Sequence, residues 1–194
     1  MTDSIPLRLR PYRPENAEAV LYWRNQPRVL ANMTNDRPIS PADHAQFLAG
    51  LEGDASREYF LLERGQQVLA GLSLVDIGQA TEHWGCFLCS DGVMPGLFPA
   101  LLVLAADRAF NQHGADTLAS HVVESNLAPQ RLNRYLGIAA AKDQTIQRPV
   151  AGETRQLEYR LNRSDWPNVR ARACKLLTSA LQKNLDQITI ADHP

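Results

Sequence analysis

"VESNLAPQRLNRYLGI", Val123 to Ile138, decides how the chain is read. The run "TLASHVV" leading into it has the apolar, β-branched character of a strand. That strand ends at Glu124 and Asn126, and a short basic segment with an apolar stripe follows at once and stops at Gly137. A strand passing directly into a helix N-terminus is where α/β proteins bind anionic ligands, because backbone N–H groups are unpaired there. Asn126 is therefore the first position at which a bound ligand is expected.

The rest of the chain sets the bounds. Its 194 residues suggest one domain, and 44% hydrophobic against 21% charged residues is enough for a real core. A net charge of −1 provides no global field to draw nucleic acid or an anionic membrane. Cys86 and Cys89 have CxxC spacing in "CFLC", but residues three apart on a strand face opposite ways. Neither a shared metal nor a disulfide is expected, and with Cys174 they read as structural thiols of a reducing, cytoplasmic compartment. The start, "MTDSIPLRLR", has no apolar leader segment, and no run is long enough to span a bilayer.

Periodicity supplies the element order. "IPLRLRPY" reads as an opening strand, "RPENAEAVLYWRN" as a helix and "RVLANMTNDRP" as a loop or broken helix. "SPADHAQFLAGL" is a helix with Ser40 as N-cap, Pro41 at N1 and Asp43 at N3. "REYFLLER", "QVLAGLSLVDI" and "TEHWGCFLCS" read as three meandering antiparallel strands. "PALLVLAADRAFNQHG" is a strong helix closed by Gly114. After the fifth strand and its helix, "IAAAKDQTIQ" and "TRQLEYRLN" form a final hairpin, and "SDWPNVRARACKLLTSALQKNL" reads as a single C-terminal helix. The order is β-αα-βββ-αβ-αββ-α, an α/β layout around one mixed sheet.

That order, with these residues, resembles the Gcn5-related N-acetyltransferase (GNAT) superfamily. Family members often read N-x-x-A-x-x-L-Y-x-x-x-G-F after the fifth strand; here Asn126, Leu132, Gly137 and Ile138 fall in register, with Pro129 in place of the Ala and Asn133 in place of the Tyr. "WRNQPRV", "ISPADHAQFL", "EYFLLERGQQVLAGLSLVDI" and "WGCFLC" further resemble the acetyltransferases of pseudaminic-acid biosynthesis, which acetylate the 4-amino group of a UDP-linked dideoxy sugar. Ribosomal-protein alanine acetyltransferases share parts of the pattern. The resemblance implies a mostly antiparallel sheet splayed between its fourth and fifth strands and flanked by helices. It covers roughly residues 5 to 162, giving an acetyltransferase domain at 1–163 and a helical extension at 164–194 that packs on the domain or forms a dimer interface; monomer and homodimer both stay open. It implies acetyl-CoA as acyl donor and an amine as acceptor.

Acetyl transfer from a thioester to an amine needs backbone donors for the cofactor pyrophosphate, a donor where oxyanion charge develops, a route for the amine's proton, and a good leaving thiol. The family's pyrophosphate turn aligns with "VMPGLF", Val93 to Phe98: Gly96 is in place, while Val93 replaces a Gln or Arg and Phe98 a second small residue. Phe98 either obstructs the phosphate or points inward and leaves the amides of Gly96, Leu97 and Phe98 free. By position, the main chain of Phe87 and Leu88 meets the pantetheine arm and the oxyanion, with Asn126 facing that arm and Arg131 and Arg134 within reach of the phosphates. Glu124, Glu82 and His83 are candidates for the base. Glu82 and His83 are adjacent on a strand, so only one faces a given cleft, and the plainer reading of either is a solvated face residue. Asn133 hydrogen-bonds but cannot supply a proton as the usual Tyr does. Its plainer reading is a polar surface residue.

On the acceptor side, Arg24, Asn25, Arg28 and His44 lie in the helical region that covers the acceptor in this superfamily, and cationic groups there suit a diphosphate. Tyr59 and Trp84 are the candidates for stacking on a sugar or base, against a plainer role in sheet packing. Three functions follow: an aminosugar-nucleotide N-acetyltransferase, a protein N-terminal acetyltransferase, and a non-catalytic module of the same fold that has lost the cofactor.

Overall fold

The structure, a computed structural model, describes residues 6–89, 94–185 and 187–190. Eight strands form one sheet in the order β6-β7-β5-β4-β3-β2-β1-β8. They are β1 (Leu7–Pro11), β2 (Arg57–Arg64), β3 (Gln67–Val75), β4 (Thr81–Leu88), β5 (Thr117–Val123), β6 (Ala140–Arg148), β7 (Gly152–Asn162) and β8 (Thr189–Ile190). The helices are α1 (Ala17–Arg24), α2 (Pro27–Leu30), α3 (Pro41–Ala49), α4 (Leu97–Arg108), α5 (Leu127–Leu136), α6 (Trp166–Cys174) and α7 (Ser179–Leu185). The expected stop signals act as expected: Ser40 Oγ accepts the Asp43 N–H at 3.1 Å, and Gly114 and Gly137 close their helices in left-handed conformation.

β4 and β5 run parallel and pair at only three positions, Thr81↔Thr117, Glu82↔Leu118 and His83↔Ala119. β4 then continues to Leu88 beside β3, and β5 continues to Val123 beside β7. Each strand is held by its outer neighbour while the two part, leaving facing backbone edges across a wedge. The splay implied by the resemblance is present.

Each face of the sheet has its own cover. Leu72, Leu74, Leu118, Leu161 and other strand residues pack under Leu101, Ala105, Leu132, Leu136, Val169 and Ala173 in one core shared by α4, α5 and α6. Val29 of α2 packs on Phe87 and Cys89 on the other face. From α2 the chain crosses the wedge and is fastened to the tip of the β6–β7 hairpin. Arg148 donates to the carbonyls of Leu30, Ala31 and Met33, each at 3.0 Å, and Asp36 accepts from the amides of Val150 and Ala151, each at 2.8 Å. Gln156 adds a bond to Thr34 at 2.9 Å.

The C-terminus differs from the single helix its periodicity predicts. A 3-10 turn (Arg163–Asp165) leads into α6, which ends at Cys174, and α7 starts afresh at Ser179. The break lets the apolar stripe follow the curved surface of the core, where Leu177 and Leu181 are both buried. The short β8 then pairs in parallel with β1, which no sequence signal announced. Trp166 is buried and donates its indole N–H to Asp107 at 2.8 Å. Trp166→Ala should therefore cost about 3–5 kcal/mol, as for an interior core aromatic, in urea unfolding; a loss within the surface range would mean that the extension is not integral to the fold.

Candidate active site

The wedge between β4 and β5 has a different lining on each face. Toward α4, Trp84, Cys86 and Leu88 pack against the core, and the Trp84 ring stacks on Phe98 with centroids 6.4 Å apart. Phe98 thus points at the sheet, which resolves the alternatives its position raised. Trp84 lies on this face and not among the acceptor-side aromatics. Toward α1 and α2, the Phe87 ring lies directly over Gly71: a Cβ there would come within 2.3 Å of the ring and 2.8 Å of the Tyr12 hydroxyl.

At the start of α4, Gly96 holds a left-handed conformation (φ 86°) and Leu97 is buried, its amide bonded to the Met94 carbonyl at 3.0 Å. Pro99 has no N–H, so Phe98 supplies the remaining first-turn amide. Val93 lies outside the described residues. At the start of α5, Asn126 occupies the N-cap position, but its side chain makes no capping bond. Gln130 fastens this turn instead, donating to the carbonyls of Glu124 at 2.7 Å and Asn126 at 3.1 Å. Asn133 is buried, not a surface residue, and Arg131 is exposed on the same helix.

The two carboxylates named as bases are both committed elsewhere. Glu124 is exposed and pairs with Arg155 at 3.0 Å; Arg155 also binds Asp143 and holds that carboxyl below its ordinary range. Glu82 is not solvated. Its side chain is fully buried on the α4 face and bonds His113 Nδ1 at 2.9 Å. His113 Nε2 reaches Glu58 at 3.3 Å, and Glu58 is paired with Arg108. His113 ends a π-helical turn (Ala109–His113) that continues α4. The network clamps that end of the helix to β2 and β4.

His83 has the opposite outlook. Its Nδ1 lies 2.8 Å from Asp76, which sits at φ 62°, the positive-φ residue other than glycine among those described. The ring stacks on His121 of β5, centroids 5.3 Å apart and 9° from parallel. His121 Nε2 faces the buried Glu158 at 3.6 Å, and Glu158 also pairs with Arg160 and Lys142. Burial, and then the neighbouring His83, push His121 below its ordinary pKa. His121 and Glu158 were missed because only the β5–β7 register sets them opposite each other. The available signal was strand alternation: His121 shares a face with Ala119, the partner of His83.

Beside this face lies a cleft of about 910 Å³ between α1, α3 and the adjoining ends of β1 and β2. Tyr12, Tyr59 and His44 line it, with Tyr12 and Tyr59 centroids 5.6 Å apart and Phe47 edge-on to Tyr59 at 5.0 Å. Arg24 is coupled electrostatically to both tyrosines, and burial lowers its pKa. Arg24 Nη1 and His44 Nε2 are buried without a hydrogen-bond partner. The structure therefore brings Arg24, His44 and Tyr59 together. It spends Asn25 on the Ile39 backbone, N–H and C=O both at 2.8 Å, so that residue shapes the loop instead.

Residues 6–139 match the model of the GNAT acetyltransferase domain, so the chain belongs to that family and is an N-acetyltransferase. It is 24% identical over 112 residues to the acetyltransferase PseH of Campylobacter jejuni subsp. jejuni, across 58% of this chain and 69% of that one. The crystal structure of PseH from Campylobacter jejuni superposes with a TM-score of 0.57 at 18% identity, covering 80% of this chain and 97% of PseH. Spermidine N-acetyltransferase from Vibrio cholerae, solved with CoA and spermine, superposes with a TM-score of 0.72 at 14% identity, covering 84% and 98%. At these identities the superpositions show the fold. Family members take acetyl-CoA as donor. Among the described residues no helix is long and apolar enough to cross a membrane, and no His, Cys, Asp and Glu group of metal-binding geometry occurs.

Two histidines give a pH test. Burial is the largest cause lowering His44, as it is for His121. With folded values below the unfolded value of about 6.5, the native state binds fewer protons. The stability they contribute is present above that pH and is lost as pH falls through the folded values. NMR titration should place both transitions below that of a free imidazole, and His44→Gln should flatten the acid side of the stability profile; a profile identical to wild type would contradict the assignment.

Proposed function

We propose that the protein transfers the acetyl group of acetyl-CoA to the primary amine of an aminosugar nucleotide. The observation that carries this is the parting of β4 and β5 after His83↔Ala119, with imidazoles on one face of the apex and unpaired backbone along the wedge. The donor, when bound, supplies the activated acyl carbon. The open edge of β4 near Phe87 and Leu88 offers main-chain groups to the pantetheine amides and to the carbonyl oxygen as negative charge develops. The Phe98 amide at the start of α4 and the turn at Asn126 flank the route of the phosphates.

Asp76 holds His83 Nδ1–H, leaving Nε2 to accept the ammonium proton directly or through water. The C–N bond forms and the C–S bond breaks; the first ammonium proton passes from imidazole to solvent, and the second leaves the nitrogen to water as the amide forms and the thiolate departs. Asn133 offers the departing sulfur a hydrogen bond only, and a thiol with pKa about 8.5 leaves without an enzymic acid.

Likeness to PseH and the nearness of Arg24 to His44 support a nucleotide-linked sugar. The strap from α2 to the hairpin tip narrows the acceptor side, against a folded protein's N-terminus. A cationic amine is the second reading, because Glu15, Glu18 and Glu52 line the rim of the cleft.

A thiol-release assay with acetyl-CoA against a UDP-linked 4-amino sugar, a polyamine and an N-terminal peptide tests the reading. Turnover confined to the sugar nucleotide is expected; turnover of the polyamine or peptide alone would overturn it. His83→Gln should lower kcat by about 100-fold with the KM for acetyl-CoA unchanged. Glu124→Gln should change kcat by less than about twofold, since its side chain is engaged at the surface.

A further inference from the structure

The extension after residue 163 lies beyond the family match, which ends at 139, and the reading above gives it no task. Its contacts are placed unevenly along α4. Near the end of that helix, Trp166 and Arg170 bond Asp107 and Trp166 packs on Phe110. At its start, the link between α6 and α7 is pressed against Gly96. A Cβ on Gly96 would lie 2.8 Å from the Leu176 carbonyl oxygen, 3.1 Å from Leu177 Cα and 3.3 Å from Leu181 Cδ1. Arg172 closes on Gly137, the end of α5, in the same way, with Nη1 2.9 Å from where a Cβ would stand. α6 thus touches both helices that flank the wedge, and β8 ties the far end of the extension to β1.

This contact matters because the start of α4 is short of donors. Leu97 spends its amide on Met94 and Pro99 has none. A phosphate there depends on few N–H groups, so their orientation counts for more than in a turn rich in small residues. Gly96 is the left-handed pivot of that turn, and the extension lies directly against it.

We propose that the C-terminal extension is a working part of the acyl-donor site, with Leu177 and Leu181 as positioning residues that set the start of α4 through Gly96. This rests on the reading that the donor's phosphates meet that helix start.

The test compares Leu181→Ala with Val169→Ala. Both delete buried apolar groups of the extension, but Val169 belongs to the middle of α6. Calorimetric titration with CoA and initial-rate kinetics are read beside the unfolding midpoint. Leu181→Ala should weaken CoA binding and raise the KM for acetyl-CoA by about tenfold, with the acceptor KM unchanged, whereas Val169→Ala should leave the donor KM within about twofold at a similar loss of stability. Gly96→Ala, which drives a methyl into the Leu176 carbonyl, should reproduce the donor defect and keeps the test open should Leu181→Ala not fold. Equal donor affinity in wild type and Leu181→Ala, or an equal defect in Val169→Ala, would overturn the positioning role alone. Absence of CoA binding by the wild-type protein would overturn the acetyl-transfer reading itself.

Discussion

Two parallel strands that stop pairing after three residues impose the main constraint on this molecule. Unpaired backbone N–H and C=O groups in a protein interior cost about 1–3 kcal/mol each, so such a gap persists only where it is propped open and filled by polar groups. The props are on the outside. β3 and β7 hold β4 and β5 by continuous antiparallel ladders, so neither strand can swing to close the gap without breaking its other partner. The strap fastened by Arg148 and Asp36 then bridges the opening on one face. The proposed acyl donor, which carries amides and a carbonyl, suits such a gap because it offers polar groups to unpaired strand edges.

At the apex, adjacent residues of one strand take opposite parts. Glu82 turns inward to a network with His113, Glu58 and Arg108 that runs from the core to the cleft, and its burial is tolerable because each charge in that network meets a partner. His83 turns to the other face, where Asp76 fixes one ring nitrogen and His121 stacks against the ring. A carboxylate so thoroughly engaged is a poor proton acceptor. An imidazole with one nitrogen held by a carboxylate keeps the other for the acceptor side in the proposed reaction. Alternation on a strand thus separates the clamp from the chemistry.

Much of this was legible in the chain. Ser40, Gly114 and Gly137 punctuate helices through local backbone chemistry, and the strand run from Arg57 to Leu88 follows from alternation and short glycine turns. Arg24, His44 and Tyr59 were named from a resemblance and do meet. What escaped depends on pairing between distant segments. Whether Glu82 is solvated or buried depends on the end of α4 reaching β4, and whether His121 meets Glu158 depends on the β5–β7 register. Glu124 looked available because its partner Arg155 is contributed by β7, far along the chain. The break between α6 and α7 was hidden because an apolar stripe persists through it; only the curvature of the surface beneath decides that one straight helix does not fit.

The departures from the family pattern compensate one another. Phe98, where relatives keep a small residue, turns onto Trp84 and fills the core instead of the phosphate path. That inward turn removes steric obstruction but leaves Pro99 and Leu97 without free amides, so the helix start has few donors to offer. A sparse donor set can still bind an anion when it is rigid, because orienting energy is then not spent on ordering the loop at the moment of binding. The same logic applies to Asn133. Asn133 cannot protonate a thiolate, so the proposed reaction would draw on oxyanion stabilisation by the open edge of β4 and on a well-oriented amine. In the proposed reaction the donor meets little side-chain assistance at either end and depends on backbone geometry, which is why packing that fixes the start of α4 would bear on the chemistry.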